Sequence, residues 1–161
     1  MSLPRLNKID LLLKFMLKLQ HMKAINTGRL LGMLWFRLNR RLSANLKVAG
    51  LNITADQLRL LNQLAENESC NQLFLAKQLG RDRSAITRMI QHLELKAWVS
   101  RKPDKEDKRA FVVVLTKPGY LLQETAAAVA QQTLDELWAG FRTEEKDQCS
   151  DYLFRMAQNV R

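Results

Sequence analysis

The sequence is poor in the residues that most chemistry needs. Its 161 residues include two cysteines, two histidines and three prolines. Cys70 and Cys149 are too few for a disulfide framework, and no CxxC pair is present. His21 and His92 lie far apart in the sequence, and HExxH is missing, so no metal centre is expected. Nucleophile elbow, Walker loop and GxGxxG cradle are all missing. Asp104, Glu106 and Asp107 share one charged turn with no catalytic base beside them. Neither an enzyme nor a cofactor is expected. Long apolar runs are missing too, since nothing approaches the roughly 18 uninterrupted apolar residues of a membrane span. Apolar residues from Leu6 to Met22 are interrupted by Lys8, Asp10, Lys14 and Lys18, and no small-residue cleavage site follows. The expectation is a cytoplasmic chain with reduced thiols and no membrane partner.

Positive charge is what the chain has in excess. Its net charge is +10, from 26 Lys and Arg against 16 Asp and Glu. The excess is uneven: +9 over residues 1–50, +4 over 51–117 and −3 over 118–161. A basic chain of this size suggests a polyanionic partner. Hydrophobic content is 47%, an ordinary globular value.

Hydrophobic periodicity predicts helices with one short hairpin. Apolar residues at 6, 9, 12, 13, 16 and 19 recur at helical spacing, and Asn26-Thr27-Gly28 is expected to end that helix. A second helix is expected from about Arg29 to Lys47, with Gly50 closing it. Thr54 is a good N-cap for a helix through Leu64. Asn71 to Leu79 reads as a short helix, Gly80 as its left-handed cap, and Asp82 as the cap of a further helix to about Lys96. The period then falls to two. Trp98 to Lys102 and Ala110 to Leu115 read as strands, joined by a charged turn. Thr116 starts a long helix to about Ala139, Gly140 breaks it, and Thr143 begins the last.

Helix, short helix, tight turn, helix and hairpin is the order of a winged helix-turn-helix. The helix after the turn is the usual reader of the major groove. Advancing about 100° per residue puts Ile86, Met89, Ile90 and Leu93 on one face and Ser84, Thr87, Arg88 and Gln91 opposite them. That outer face is polar and cationic, with no carboxylate. Arg pairs with guanine, Gln with adenine, and Ser or Thr with bases or phosphates. Arg83 and Lys77 are the nearby phosphate candidates. In the hairpin turn, Lys105, Lys108 and Arg109 suit a phosphate backbone. Arg109 suits the minor groove, with Asp107 orienting it.

These segments resemble the MarR family. Asp82-Arg83-Ser84-Ala85-Ile86-Thr87-Arg88 looks like the start of that family's recognition helix. Leu93-Glu94-Leu95-Lys96-Ala97-Trp98-Val99, the wing from Arg101 to Arg109 with its Asp107 and Arg109, and Leu115-Thr116-Lys117-Pro118-Gly119 follow in order. Leu51-Asn52-Ile53-Thr54-Ala55-Asp56-Gln57 is similar to an upstream family segment, with one residue more between Leu and Thr. The resemblance runs from about Arg29 to the C-terminus. It implies a mainly α fold with a β-hairpin wing. Residues 1–50 and 118–161 would be dimerisation helices, and 51–117 the DNA-binding lobe. It further implies a homodimer on a pseudo-palindromic double-stranded operator, usually as a repressor. Many members are released by small anionic or aromatic ligands; Trp35, with Phe36, Met33 and Leu61, is the candidate lining of such a cavity and Arg59 or Arg37 the candidate anion binder, the alternative being plain core or interface residues and solvated arginines. The family's usual Gly before the first wing strand is Ala97, and the helix from Leu6 to Met22 precedes the matched region. That leading helix is basic and amphipathic, and is expected to pack on a partner subunit. The competing class is a winged-helix interaction module, adaptor or antagonist, that does not read DNA. A redox switch at Cys70, activated by the following helix N-terminus, is the remaining alternative.

Overall fold

The structure is a computed structural model that describes residues 8–104 and 110–160, with side chains described for residues 26–104 and 110–160. Six helices and two strands follow in order: α1 (Lys8–Val48), α2 (Ala55–Asn67), α3 (Gln72–Leu79), α4 (Arg83–Leu95), β1 (Val99–Pro103), β2 (Phe111–Leu115), α5 (Lys117–Leu137) and α6 (Thr143–Asn159). The expected helix–turn–helix–hairpin order is present. None of the described helices is long and apolar enough to cross a membrane. The chain forms two compact units, residues 1–40 and residues 41–161.

One expectation fails at the start of the chain. Asn26-Thr27-Gly28 does not end a helix, because α1 runs unbroken for 41 residues. Each of the three costs about 1 kcal/mol or less relative to alanine. None removes a backbone donor as proline would. Stopping there would instead create two new ends, each with four unsatisfied backbone groups.

Caps fix the helix starts at Thr54 and Asp82 where the sequence places them; Asn71, expected inside its helix, is the cap of α3, and α2 runs past Leu64 to Asn67. Thr54 accepts the Gln57 N–H at 3.2 Å, while the Gln57 side chain accepts the Thr54 N–H at 2.9 Å. Asn71 accepts from Phe74 N at 2.8 Å, and Asp82 from Ala85 N at 2.7 Å. Three helices end in one hydrogen-bond pattern. In α1, Gly50 N–H bonds Lys47 O and Leu51 N–H bonds Leu46 O. In α3, Gly80 and Arg81 bond Lys77 O and Ala76 O. In α4, Ala97 and Trp98 bond Glu94 O and Leu93 O. The pattern needs a left-handed residue at its centre. Gly50 (φ 75°) and Gly80 (φ 59°) supply it freely, but at α4 the residue is Ala97 at φ 56°.

The core lies inside residues 41–161. Leu58, Leu61 and Leu64 of α2, Leu75 of α3, Ile86, Ile90 and Leu93 of α4, and Val113 of β2 are buried together. Leu61 is therefore core and lines no open surface. β1 and β2 pair antiparallel, with Val99 opposite Leu115 and Pro103 opposite Phe111. Cys70 bridges the other edge of β2, exchanging backbone bonds with Val113 at 3.0 and 2.8 Å. The hairpin is thus tied to the loop before α3.

The first turn of α5 closes on the bend between α4 and β1. Thr116 Oγ1 donates to Ala97 O at 2.6 Å and accepts from Gly119 N at 3.1 Å. Thr116 N–H reaches Trp98 O at 3.1 Å. Gly119 permits this approach, because a Cβ there would stand 1.9 Å from the Trp98 carbonyl oxygen.

Gly119→Ala is expected to lower unfolding free energy by about 2–3 kcal/mol, as overpacking against backbone does. Ala97→Gly is expected to raise it by about 1 kcal/mol, since relief at the left-handed position (about 1–2 kcal/mol) exceeds the added chain entropy. Urea denaturation of the full chain checks both, and the two signs must be opposite.

Candidate nucleic-acid interface

Helix α4 presents two distinct faces. Ile86, Ile90 and Leu93 are fully buried, and Met89 is half-buried. Ser84, Arg88 and Gln91 are exposed on the opposite side, and Thr87 is half-buried. Arg83 and Lys77 are exposed as well. Five of these residues lie on α4, and Lys77 is on the neighbouring α3. Lys105, Asp107, Lys108 and Arg109 lie outside the described residues.

The polar groups of α4 differ in what remains available to a ligand. Ser84 Oγ donates to Asp82 Oδ1 at 2.6 Å. Thr87 Oγ1 donates to the Arg83 carbonyl at 2.8 Å. The Ser84 bond, together with the backbone bond from Ala85, holds the Asp82 carboxyl below the usual carboxylate range, and the Arg88 charge adds to this. The side chains of Arg88 and Gln91 hydrogen-bond to no other group among the described residues. Their donors stand ready for a partner.

Three ion pairs brace this face, and of their residues only Arg59 was singled out from the sequence, there for an effector rather than a carboxylate. Asp56 on α2 pairs with Arg59 one turn on and with Arg81 in the turn between α3 and α4. Burial alone would push Asp56 up, but hydrogen bonds and charge from Arg59 and Arg81 outweigh it and hold the carboxyl below its ordinary value. Arg101 on β1 pairs with Glu94 on α4 at 3.3 Å, tying the wing to the last turn of the helix. Arg101 and Arg83 also line one open cleft of about 560 Å³ between α3, α4 and the wing. Glu94 and Arg101 flank the Ala97 bend seven positions apart, a spacing that becomes a contact only once the chain reverses there.

The remaining expectations separate. Trp35 is exposed on α1, in the first compact unit, whereas Arg59 belongs to the second and is engaged by Asp56. Cys70 does not have the environment of a reactive thiol. It is buried, its Sγ approaches Gln63 O at 3.7 Å, and burial pushes its pKa up. Desolvation disfavours the thiolate that the expected activation would need.

The sequence model of the MarR family matches residues 53–111, from just before α2 into β2. The multiple antibiotic resistance protein MarR of Escherichia coli (strain K12) is 31% identical over 131 residues, covering 81% of this chain and 90% of that protein. The chain belongs to the MarR family. A second relative, the transcriptional repressor MprA of the same strain, is 30% identical over 103 residues, covering 64% of this chain. This chain spans 58% of that relative's length. A solved structure of an E. coli MarR mutant complexed with operator DNA has a TM-score of 0.74 and 30% identity, covering 83% of this chain and 95% of that one. The mainly α winged helix-turn-helix fold is thus the MarR-family fold. The matched residues include both α4 and β1.

Asp56 contributes to stability only while ionised. Its folded pKa lies below the unfolded value of about 3.9, so the contribution is present above about pH 4 and lost as pH falls through the folded value. Asp56→Asn is expected to cost about 1 kcal/mol or less at pH 7. The difference from wild type should vanish toward pH 2, as followed by urea denaturation at each pH.

Proposed function

We propose that this MarR-family chain is a sequence-specific transcriptional regulator that binds double-stranded DNA through the outer face of α4. The observation that carries this is the composition of that face. Ser84, Arg88 and Gln91 are exposed with no carboxylate among them, Thr87 lies beside them, and Arg83 and Lys77 flank them. Ser84, Thr87, Arg88 and Gln91 face base edges, and Arg83 and Lys77 face phosphates. Lys105 and Lys108 in the wing turn contact the backbone. Arg109 enters the minor groove, oriented by Asp107. The cationic cleft of Arg83 and Arg101 supports a continuous path from helix to wing.

The unit that binds is a homodimer on a pseudo-palindromic operator, acting as a repressor. Exposed apolar side chains support the dimer: Leu30, Leu31, Trp35 and Phe36 on α1, and Tyr152 and Phe154 on α6. So many large apolar groups mark a protein contact. Segments 1–50 and 118–161 supply that contact, while 51–117 reads DNA. Release by a small anionic or aromatic effector at Trp35 or Arg59 belongs to the same reading, and the site is cytoplasmic. The reading favours a DNA regulator over an interaction module, because an adaptor has no need for a cationic helix face continuous with a cationic wing.

Arg88→Ala is expected to reduce discrimination among duplexes by about 1–3 kcal/mol at one base position. Lys105→Ala is expected to weaken all duplexes alike and lower the salt slope by about 1. Fluorescence anisotropy across a duplex panel and a salt series reads both. Equal losses across all sequences for both variants would overturn the division of roles. Retention of a protein partner with no DNA binding by wild type would favour the interaction module.

A further inference from the structure

The hydroxyls on the reading face are not neutral between donating and accepting. An ionised carboxylate has no proton to give, so the 2.6 Å bond between Ser84 and Asp82 must carry the Ser84 proton. A backbone carbonyl likewise only accepts, so the 2.8 Å bond between Thr87 and Arg83 O must carry the Thr87 proton. Each hydroxyl has one proton, and both are committed inside the protein. What remains toward solvent is lone pairs. A free serine would turn its hydroxyl to suit whatever it met. Here the turn would break a charge-assisted bond, the stronger class, on an oxygen that also caps α4 through Ala85 N–H.

Resting on the DNA-reading function above, we propose that Ser84 and Thr87 act toward DNA as acceptors only. They select base pairs by the position of the exocyclic amine in the major groove, and Asp82 is the positioning residue that sets this polarity at Ser84. Phosphate oxygens, guanine N7 and O6, and thymine O4 are themselves acceptors and offer these hydroxyls nothing. The adenine N6 and cytosine N4 amines are the donors that remain, one per base pair in the major groove. The helix face therefore has mixed polarity. Arg88 seeks acceptors, Ser84 and Thr87 seek amines, and Gln91 does either. Asp82 touches no base, yet it decides what Ser84 can recognise. Its depressed pKa keeps it ionised throughout the neutral range.

The test starts from selection of bound duplexes out of a random pool by the full-length wild-type chain. Ser84→Ala in the same selection marks the base pair that Ser84 faces. That pair is then rebuilt without its major-groove amine, with purine for adenine or 2-pyrimidinone for cytosine. Wild type is expected to lose about tenfold in affinity, the worth of one hydrogen bond. Ser84→Ala is expected to bind both duplexes equally. Asp82→Gly, tolerated as an N-cap, frees the hydroxyl to donate as well as accept, so a selection with it is expected to enrich base pairs that place a carbonyl as well as an amine at the marked position, where wild type enriches the amine alone. Asp82→Asn keeps a good cap with a weaker, neutral acceptor and should fall between. The ratio between the two duplexes is the readout, since simple loss of structure lowers both alike. Wild-type indifference to the amine, no position marked by Ser84→Ala, or an Asp82→Gly selection as strict for the amine as wild type would overturn the proposal alone. A wild-type chain that enriches no motif would overturn the DNA-reading function and this proposal with it.

Discussion

Everything that faces outward from this lobe depends on one close approach, the first turn of α5 against the backbone of Ala97 and Trp98. Helix α4 and the wing meet at that bend, and neither can set the angle between them alone. Thr116 bonds Ala97 O from one side and caps α5 from the other. Gly119 leaves room for the Trp98 carbonyl. The left-handed turn at Ala97 is held in a conformation that alanine disfavours, by bonds to Leu93, Glu94 and Thr116. The Glu94–Arg101 pair then spans the same bend. Helix, bend and wing form a single support, with Ile86, Ile90 and Leu93 of α4 in the same buried core as the leucines of α2 and α3.

This support explains why a short sequence motif is legible as structure. Leu115-Thr116-Lys117-Pro118-Gly119 carries a buried strand end, a cap that serves two partners, and a glycine that a carbonyl requires. The caps at Thr54, Asp82 and Thr116 could be read because each is a local event, a side chain meeting a backbone donor three residues on. The alternation of the second strand could be read because Val113 and Leu115 face the core. Ala97 was legible as a tension, since the family's glycine is replaced there, and the structure shows the positive φ that makes the replacement matter.

What was not legible was either cooperative or distant. The continuity of α1 through Asn26-Thr27-Gly28 is a competition between small local costs and the larger cost of two helix ends, which punctuation residues do not reveal. The Asp56–Arg81 and Glu94–Arg101 pairs join residues brought together only by the turns between them. Cys70 reads from sequence as a thiol before a helix N-terminus. Only the bridge to Val113 shows that it is enclosed. The acceptor-only state of Ser84 and Thr87 is a matter of which group holds a proton, and no residue pattern encodes it.

The charge gradient along the chain completes the physical account. Most of the excess lies in residues 1–50, and the C-terminal segment is acidic, so net charge alone would not have singled out the outer face of α4. The face is defined by polarity and presentation together, with cations and amides exposed on a helix whose other side is locked. The most direct measurement is amide chemical-shift mapping of the full-length chain titrated with duplex DNA. The account predicts the largest shifts from Arg83 to Gln91 in α4 and at the tips of β1 and β2, with α6 little changed. Shifts centred away from α4, or none with any duplex, would contradict it.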